Sequence, residues 1–432
     1  MVNLNKVTRA YLFLMLFMPI ITYVAAVANI NFSVAFIFSS FAILYGFFVV
    51  LFANYKIPKF AYLILTFGIY SATLPLILDF AESRGLLREI LYNKHLAAFF
   101  MVVIIYNTRF SKLFIDKSVF VLKLTVVLAF IVSVIQVFDE TFWNARYLLR
   151  PDEYRLAESI YLHRRSSIFG FIDANALGLA FIPLLSVLVS KMLYDKNKFY
   201  LLFLVLGGLV AFLSNGRYVM VGFLIITLQV LIYQRTTIIG TIKYVVIGGI
   251  SFIAILYTLS YIGYDFVDWY NSRLFAEGSV EESSRFKAFY TFAEFFPQSP
   301  IFGSGGMTDE IVEASLEVGS SHIHVGYLSH LVSYGLMGCF FLFGFWYLLI
   351  KRLYRNAKQT NYWGSFFAFL TFFWSFATMS QSSIFFYGLI FALVFDKYYS
   401  DLHYYNMLGK YRNNILHPAL YNYDYRAAKF AN

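Results

Sequence analysis

The chain has 432 residues, of which 60% are hydrophobic and only 13% are charged, and its mean hydropathy is +0.67. Soluble domains carry about a quarter charged residues, so this composition excludes a soluble enzyme and predicts an all-α protein that crosses a membrane many times. The single cysteine, Cys339, lies in an apolar run, which excludes a disulfide framework and a cysteine-based metal site.

Apolar segments of about 20 residues, the length that crosses a bilayer as a helix, recur along the chain. The first follows Lys6 and Arg9 and lacks a cleavage site of small residues, so we expect a retained helix. The fourth segment is short, and only the sequence LSNGR separates the seventh from the eighth. The twelve predicted spans are 9–28, 31–53, 58–79, 93–107, 119–138, 173–192, 197–214, 217–234, 242–263, 325–350, 361–380 and 382–398.

Basic residues are divided unequally between the two sides that these spans define. The side with both termini holds 22 of the 34 basic and 5 of the 24 acidic residues, counting Lys123 as a side chain that reaches inward from a helix start. Its net charge is therefore +17, and the −7 of the other side restores the total of +10. Loops rich in Lys and Arg stay in the cytoplasm, so the termini are predicted there and the charge indicates no nucleic-acid partner.

Two segments on the outer side are too long to be simple turns. They divide the chain into transmembrane helices 1–5 (1–138), an outer loop (139–172), helices 6–9 (173–263), a large outer loop (264–324), helices 10–12 (325–398) and a cytoplasmic tail (399–432). The candidate functional residues lie in or beside the two outer loops.

The first outer loop contains two arginines, Arg164 and Arg165, shortly before a helix that Asp173 or Asn175 can cap. A solvated loop of mixed charge is the alternative interpretation of each of these residues. The position of Arg165 favours a functional role, because the sixth span runs inward. Its N-terminus, with unpaired N–H groups and a partial positive charge, therefore opens on the outer side.

The second outer loop contains a predicted helix from Arg285 to about Phe296, which Ser284 can cap and Pro297 stops. One stripe of this helix is formed by Arg285, Phe289, Phe292 and Phe296. We expect the aromatic side to lie in lipid or on the helix bundle. An arginine on an apolar stripe suggests a buried anionic partner, and a surface helix whose arginine contacts nothing is the alternative.

The glycine-rich run GSGG, which includes Gly303 and Gly305, follows that helix. A nest of backbone N–H groups that cradles phosphate is one interpretation of such a run. A flexible turn after Pro300 is the favoured one.

The eighth and tenth spans also run inward, and Arg217 and His324 stand at their outer ends. Helix N-termini bind anions, and arginines beside them suit a doubly charged ligand such as a diphosphate. A charge at the end of a span is costly, which favours ligand binding over simple interface anchoring for Arg217 and Arg285.

Three histidines surround the start of the tenth span. His322 and His324 form an H-x-H pair, but no third and fourth ligands follow at a supportive spacing, so we expect no metal. His330, nearly two turns inside the helix, is expected to be a hydrogen-bonded packing residue. The helix dipole and nearby arginines are expected to lower the pKa of His324, and neutral imidazole is the form that a general base requires.

Taken in order, these motifs resemble those of the O-antigen ligase and O-antigen polymerase superfamily, bacterial inner-membrane glycan transferases of the GT-C type. They are R-x-x-x-x-G (Arg165, Gly170), N-x-x-G (Asn175, Gly178), S-N-G-R at Arg217, an S-R helix ending in P-x-x-P-I-F-G-S-G, and H-x(3)-L-x(6)-G-L-x-G from His324 to Gly338. The resemblance covers about 160–350, and the first five helices match only as hydrophobic spans. Most relatives have Asn, Ser or Gln where Val325 stands, which slightly disfavours a ligase.

The resemblance implies glycosyl transfer at the periplasmic face, without metal or cofactor. The donor would be an oligosaccharide on undecaprenyl diphosphate, and the acceptor a sugar hydroxyl of a glycan or second lipid-linked unit, among membrane lipids. Arg217 and Arg285 would stabilise the diphosphate leaving group, and His324 would take the acceptor's proton. The substrate-binding residues would be Arg164, Arg165, Asn175, His322, Gly303 and Gly305. The resemblance also suggests a chain-length regulator protein as a partner.

Polymerisation of a polysaccharide is the favoured prediction, and ligation to lipid A core or to protein is the alternative. A transporter of lipid-linked sugars is the alternative from another class. It predicts ionisable residues or broken helices near the middle of several spans, whereas the charges of this sequence gather at the outer rim.

Overall fold

In a computed structural model of the chain, the described residues form thirteen α-helices, two 3₁₀ helices and no β-strand. The structure describes residues 3–29, 34–78, 90, 91, 93–139, 141–144, 148, 167–169, 177–214, 216–234, 257, 284–305, 311, 323, 325–377 and 387–415. The α-helices are α1 (Leu4–Met15), α2 (Met18–Val27), α3 (Val34–Phe52), α4 (Ala61–Leu78), α5 (Lys94–Asn107), α6 (Lys112–Phe138), α7 (Leu177–Tyr194), α8 (Tyr200–Leu213), α9 (Arg217–Gln234), α10 (Ser284–Phe295), α11 (Gly326–Thr360), α12 (Gly364–Phe376) and α13 (Tyr387–Ile415). The 3₁₀ helices are Ser167–Phe169 and Phe296–Gln298.

Eleven of the twelve predicted spans coincide with described helices, and the ninth, 242–263, lies outside the described residues apart from Tyr257. By length and composition, four described helices can each cross a bilayer: α4, α6, α7 and α11. The pair α1 and α2, bent by 62° at its junction, makes a fifth if it is one span. The other apolar helices are shorter, so a multi-pass membrane protein is supported and the number twelve stays a prediction.

The helix that contains the fifth predicted span begins seven residues before it. The helix α6 begins at Lys112, because the Ser111 hydroxyl accepts a hydrogen bond from the backbone N–H of Phe114 and caps the first turn. Lys123 therefore lies about three turns inside the helix and not at its start. Its ammonium lies 5.9 Å from the centre of the Phe203 ring.

Two helices also continue past the ends of the predicted spans. The helix α11 runs to Thr360, where Asn361 adopts the left-handed conformation (φ 59°) that often ends a helix. The basic segment after residue 350 is thus helical. The helix α13 continues to Ile415, and Lys397 and Asp401 form an i,i+4 ion pair along it.

The helix α7 is the centre of one half of the bundle. Five helices pack around it, namely α6, α8, α9, α12 and α13, and nearly all of its residues are buried. Two buried polar side chains inside this half pair with each other: the Gln229 amide donates to the carbonyl of Ser186 at 3.0 Å, and the Ser186 hydroxyl lies 2.8 Å from the Gln229 side-chain oxygen. Such pairing is what a low-dielectric interior requires.

In the other half, α5 begins deep beside α4, which explains why the fourth span is short. The Asn93 side-chain oxygen accepts hydrogen bonds from the N–H groups of His95 and Leu96, and its amide donates to the carbonyl of Gly68. Gly68 lies ten residues, or about 15 Å, before the end of α4 at Leu78. A satisfied cap allows this helix start to be buried.

The charge asymmetry predicts which positions an impermeant maleimide will reach in whole cells. Cysteines at Asp152 and Glu313, in the two outer loops, should be labelled, and one at Gln359, exposed near the end of α11, should be protected until the cells are opened. The native Cys339 is buried and gives little background. Labelling of Gln359→Cys in whole cells, together with protection of both loop positions, would show that the topology is the opposite of the predicted one.

Candidate functional site

The starts of three helices lie at the last turn of α12, two of them near Ser375 and the third beside Phe376. A Cβ at Gly178, the second residue of α7, would lie 2.6 Å from the Tyr218 ring and 2.9 Å from the Ser375 hydroxyl. Tyr218 is the second residue of α9, and Ser375 lies in the last turn of α12. The following residue, Phe376, packs edge-to-face on Tyr327, the second residue of α11, with 4.8 Å between ring centres. The starts of α7, α9 and α11 therefore meet at one end of the bundle.

Two of the predicted catalytic residues belong to these helix starts. Arg217 is the first residue of α9, as predicted, although its side chain lies outside the described part. His324 is itself outside the described residues. Of its two neighbours in the sequence, Ile323 is buried and Val325 immediately precedes α11. The fold thus brings Arg217 and Val325, the neighbour of His324 in the sequence, to the same end of the bundle, and contact between the side chains of Arg217 and His324 stays a prediction.

The helix α10 confirms the helix predicted in the second outer loop. It starts one residue early, at Ser284, and passes at Phe296 into the 3₁₀ helix that contains Pro297. Arg285 is therefore in its first turn, and its side chain lies outside the described part.

The face that α10 buries is formed by small residues. Ala288 and Thr291 are each 1% exposed, and Ala288 belongs to one apolar cluster with Ile323 and Val332 of the α11 region. Phe289 is 53% exposed, whereas Phe292 and Phe296 of the same stripe are half-buried and pack against this cluster. The stripe is therefore divided between the two surroundings expected for it: Phe289 is free to contact lipid, and the other two rings lie on the bundle.

A segment after α10, residues 299–305, fills a break in α11, and we call it the plug segment. The break is at Gly335, whose φ of 61° and ψ of −173° are not helical. The N–H groups of Ser304 and Gly305 donate to the carbonyls of Val332 and Ser333, both at 2.9 Å. The plug segment thereby pairs two carbonyls that the broken helix leaves free.

The same segment also pairs two free N–H groups on the other side of the break. Leu336 donates to the carbonyl of Pro300 at 2.9 Å, and Met337 donates to the carbonyl of Ile301 at 3.0 Å. The Tyr70 hydroxyl of α4 donates to the next carbonyl, that of Phe302. An unpaired backbone group inside a membrane costs several kcal/mol, so four such groups account for the close fit of the plug segment.

Glycine is required on both sides of this contact. A Cβ at Gly303 (φ 80°) would lie 2.5 Å from the backbone nitrogen of Gly335, and one at Gly335 would lie 2.3 Å from the carbonyl oxygen of Ile301. These distances are shorter than any real Cβ contact, and the positive φ values favour glycine independently.

The plug segment decides between the two interpretations of the GSGG run. The Gly303 N–H donates to the Ser299 carbonyl, so the N–H groups of Gly303, Ser304 and Gly305 are all paired within the chain. A phosphate nest at these three residues would have no free donor. The turn predicted after Pro300 is present, but it is fixed by backbone hydrogen bonds and is not the flexible turn that the sequence suggested.

Two buried histidines, one in α11 and one in α5, pack against each other near the start of α11. His330 is buried and its Nδ1 lies 2.9 Å from the Gly326 carbonyl oxygen, which agrees with the predicted packing role. The second is His95, which no sequence motif indicated and whose ring lies edge-to-face with that of His330 at 6.0 Å between centres. Its position could have drawn notice, because it is the second residue of α5, the helix of the unusually short fourth span.

The remaining predicted residues, Arg164, Arg165, Asn175 and His322, lie outside the described residues, and their substrate-binding roles stay predictions. Within the described part, no group of three or more His, Cys, Asp or Glu is placed to hold a metal ion. That part does not include His322 or His324.

Residues 202–343 match the sequence model of the family described as O-Antigen ligase. The match covers about a third of the chain and supports its resemblance to the O-antigen ligase and polymerase superfamily. The matched segment begins in α8, contains Arg217, α10 and the plug segment, and ends in α11 beyond the break at Gly335. None of the curated proteins matches the chain.

Proposed function

We propose that this protein is a polysaccharide polymerase of the bacterial inner membrane, acting at the periplasmic face without a metal ion. The bond between the donor sugar and undecaprenyl diphosphate breaks, and the acceptor hydroxyl forms the new glycosidic bond. The hydroxyl proton passes to His324, and undecaprenyl diphosphate leaves. The meeting of the starts of α7, α9 and α11 at the last turn of α12 is the observation that carries this proposal.

This arrangement supports stabilisation of a leaving diphosphate. Three helix N-termini at one end of a bundle concentrate partial positive charge and unpaired N–H groups there. Arg217 adds a permanent charge at one of these N-termini, and α10 attaches Arg285 to α11. Donors fixed in place before the reaction stabilise charge that develops in the transition state without reorganising.

The broken helix α11 does not favour the transporter alternative. Transporters use the unpaired groups of broken helices to coordinate ions and substrates. In this chain the carbonyls of Val332 and Ser333 and the N–H groups of Leu336 and Met337 are paired by the plug segment. The break is therefore closed, which supports a structural role for it.

Purified protein given only undecaprenyl-diphosphate oligosaccharide, with EDTA present, should produce a ladder of longer lipid-linked chains on a gel. The same lipid serves as donor and acceptor, and guanidinium groups replace the metal cation, so nothing else is required. The His324→Ala variant, purified in the same way, controls for a co-purifying polymerase.

The outcomes of this experiment separate the candidate functions. A ladder that requires a divalent metal would contradict the mechanism. Glycan transfer that begins only when lipid A core is supplied would assign the protein as a ligase.

A further inference from the structure

We propose that the plug segment is a positioning device that fixes α10, with Arg285, to the part of α11 that follows His324. The proposal rests on the proposed function and adds Gly303 and Gly335 as positioning residues. It follows from the connectivity of the segment, the length of the helix that it completes and its anchoring to α4.

The connection between α10 and the plug segment is short. Only the 3₁₀ helix Phe296–Gln298 separates them. The Ser299 hydroxyl donates to the Gly303 carbonyl at 3.0 Å and closes the turn between these two residues. The direct contact of α10 with the α11 region is apolar: Ala288 and Val332 belong to one cluster, and Phe292, Phe295, Phe296 and Leu328 pack against it. The plug segment adds four backbone hydrogen bonds to α11, which are directional and fix the position of the attachment along the helix.

The first part of α11 depends on the plug segment in turn. The nine residues 326–334 form a helix that ends at the break, and isolated helices shorter than about 12 residues are marginal in water. The last carbonyls of this short helix, on Val332 and Ser333, are the ones that the plug segment pairs. The chain that leads from His324 is thus held at one end by its neighbours on α12 and at the other by the plug segment.

The plug segment is also anchored to a third helix. The Tyr70 hydroxyl donates to the carbonyl of Phe302, and a Cβ at Gly305 would lie 3.1 Å from the Leu78 side chain at the end of α4. A shift of the plug segment would therefore move Arg285 relative to both α4 and α11. Misplacement of a catalytic group by about 1 Å can cost on the order of 100-fold in rate.

The test compares Gly335→Ala with Gly344→Ala, which lies in the same helix but whose Cβ would approach only Leu63, at an ordinary 3.4 Å. Amide hydrogen exchange, read by mass spectrometry, should rise in Gly335→Ala over the plug segment, over residues 332–337 and over α10. Gly344→Ala should exchange like the parent protein. In the ladder assay, kcat of Gly335→Ala should fall about 100-fold.

A milder variant protects the test from a folding failure. Gly303→Ala changes the other side of the contact and should behave like Gly335→Ala, whereas Tyr70→Phe removes only the hydrogen bond from α4 and should show the same exchange pattern with a smaller amplitude. The positioning role is wrong if the plug segment exchanges faster while α10 does not. It is also wrong if the plug segment, residues 332–337 and α10 all exchange faster and kcat is unchanged. A parent protein that makes no ladder contradicts the proposed function, while the exchange of α10 still decides whether the plug segment holds it.

Discussion

Replacing His324 with alanine should slow glycosyl transfer by about 100-fold to 10,000-fold, the usual effect of removing an acid/base group. The acceptor hydroxyl must lose its proton as the glycosidic bond forms, and in the proposed mechanism the neutral imidazole of His324 accepts it. Binding of the lipid-linked donor should persist, because the diphosphate is assigned to the arginines. Initial rates of ladder formation, together with equilibrium binding of a labelled donor, measure the two effects separately.

Three other histidines serve as controls for His324. His322→Ala should be mild, because His322 is not at the helix mouth. His330→Ala and His95→Ala remove buried rings that pack on each other, so they should lower stability more than they lower the rate of the folded protein. A ladder that survives in His324→Ala, or a loss of similar size in His322→Ala, would contradict the assignment of the base.

Features encoded by neighbouring residues could be predicted from the sequence. Long apolar runs predict helices because the bilayer leaves no other way to pair the backbone, and eleven such runs coincide with described helices. The helix α10 was predictable because a serine cap and Pro297 bound it. Hydropathy, however, predicts only the part of a helix that lies in the membrane. The predicted spans therefore do not include the parts of α11 and α13 that continue beyond the apolar runs.

The plug segment was not predictable, because it pairs backbones that are about thirty residues apart. The motif P-x-x-P-I-F-G-S-G reads locally as a turn, and G-L-x-G reads as part of an apolar helix. Neither motif indicates that Gly303 and Gly335 face each other, since the contact consists of backbone hydrogen bonds with no charge or side-chain pattern. The structure supplies the pairing and explains why both motifs contain glycine.

The buried face of α10 differs from the face that the same amphipathic pattern would bury in a soluble protein. In a soluble protein the large apolar residues lie inside, and the stripe through Phe289 would be the buried one. Next to a membrane, helices approach each other through small residues, and large apolar side chains can remain in lipid. Ala288 and Thr291 are accordingly buried, whereas Phe289 is exposed.

Replacing Arg217 or Arg285 with lysine should reduce the rate of transfer by about 100-fold to 1,000-fold, the usual effect of removing one donor that stabilises a developing negative charge. Lysine retains the positive charge but loses the planar group that can donate two parallel hydrogen bonds to a diphosphate. Levels of both variants in the membrane should be normal, because lysine anchors a helix end at the interface as well as arginine does. Immunoblots of membranes and initial rates of ladder formation measure the two quantities.

The lysine variants distinguish ligand binding from anchoring because an anchor requires only the charge. Arg355→Lys is a matched control, since Arg355 is exposed on the part of α11 predicted to be cytoplasmic and should tolerate the change without effect. Full activity in both Arg217→Lys and Arg285→Lys would reduce these residues to anchors. A loss in Arg285→Lys similar to that of Gly335→Ala, which displaces α10 without changing its charge, would indicate that the position of this guanidinium matters as much as its presence. The plug segment would then be as necessary to the diphosphate site as the arginine that it positions.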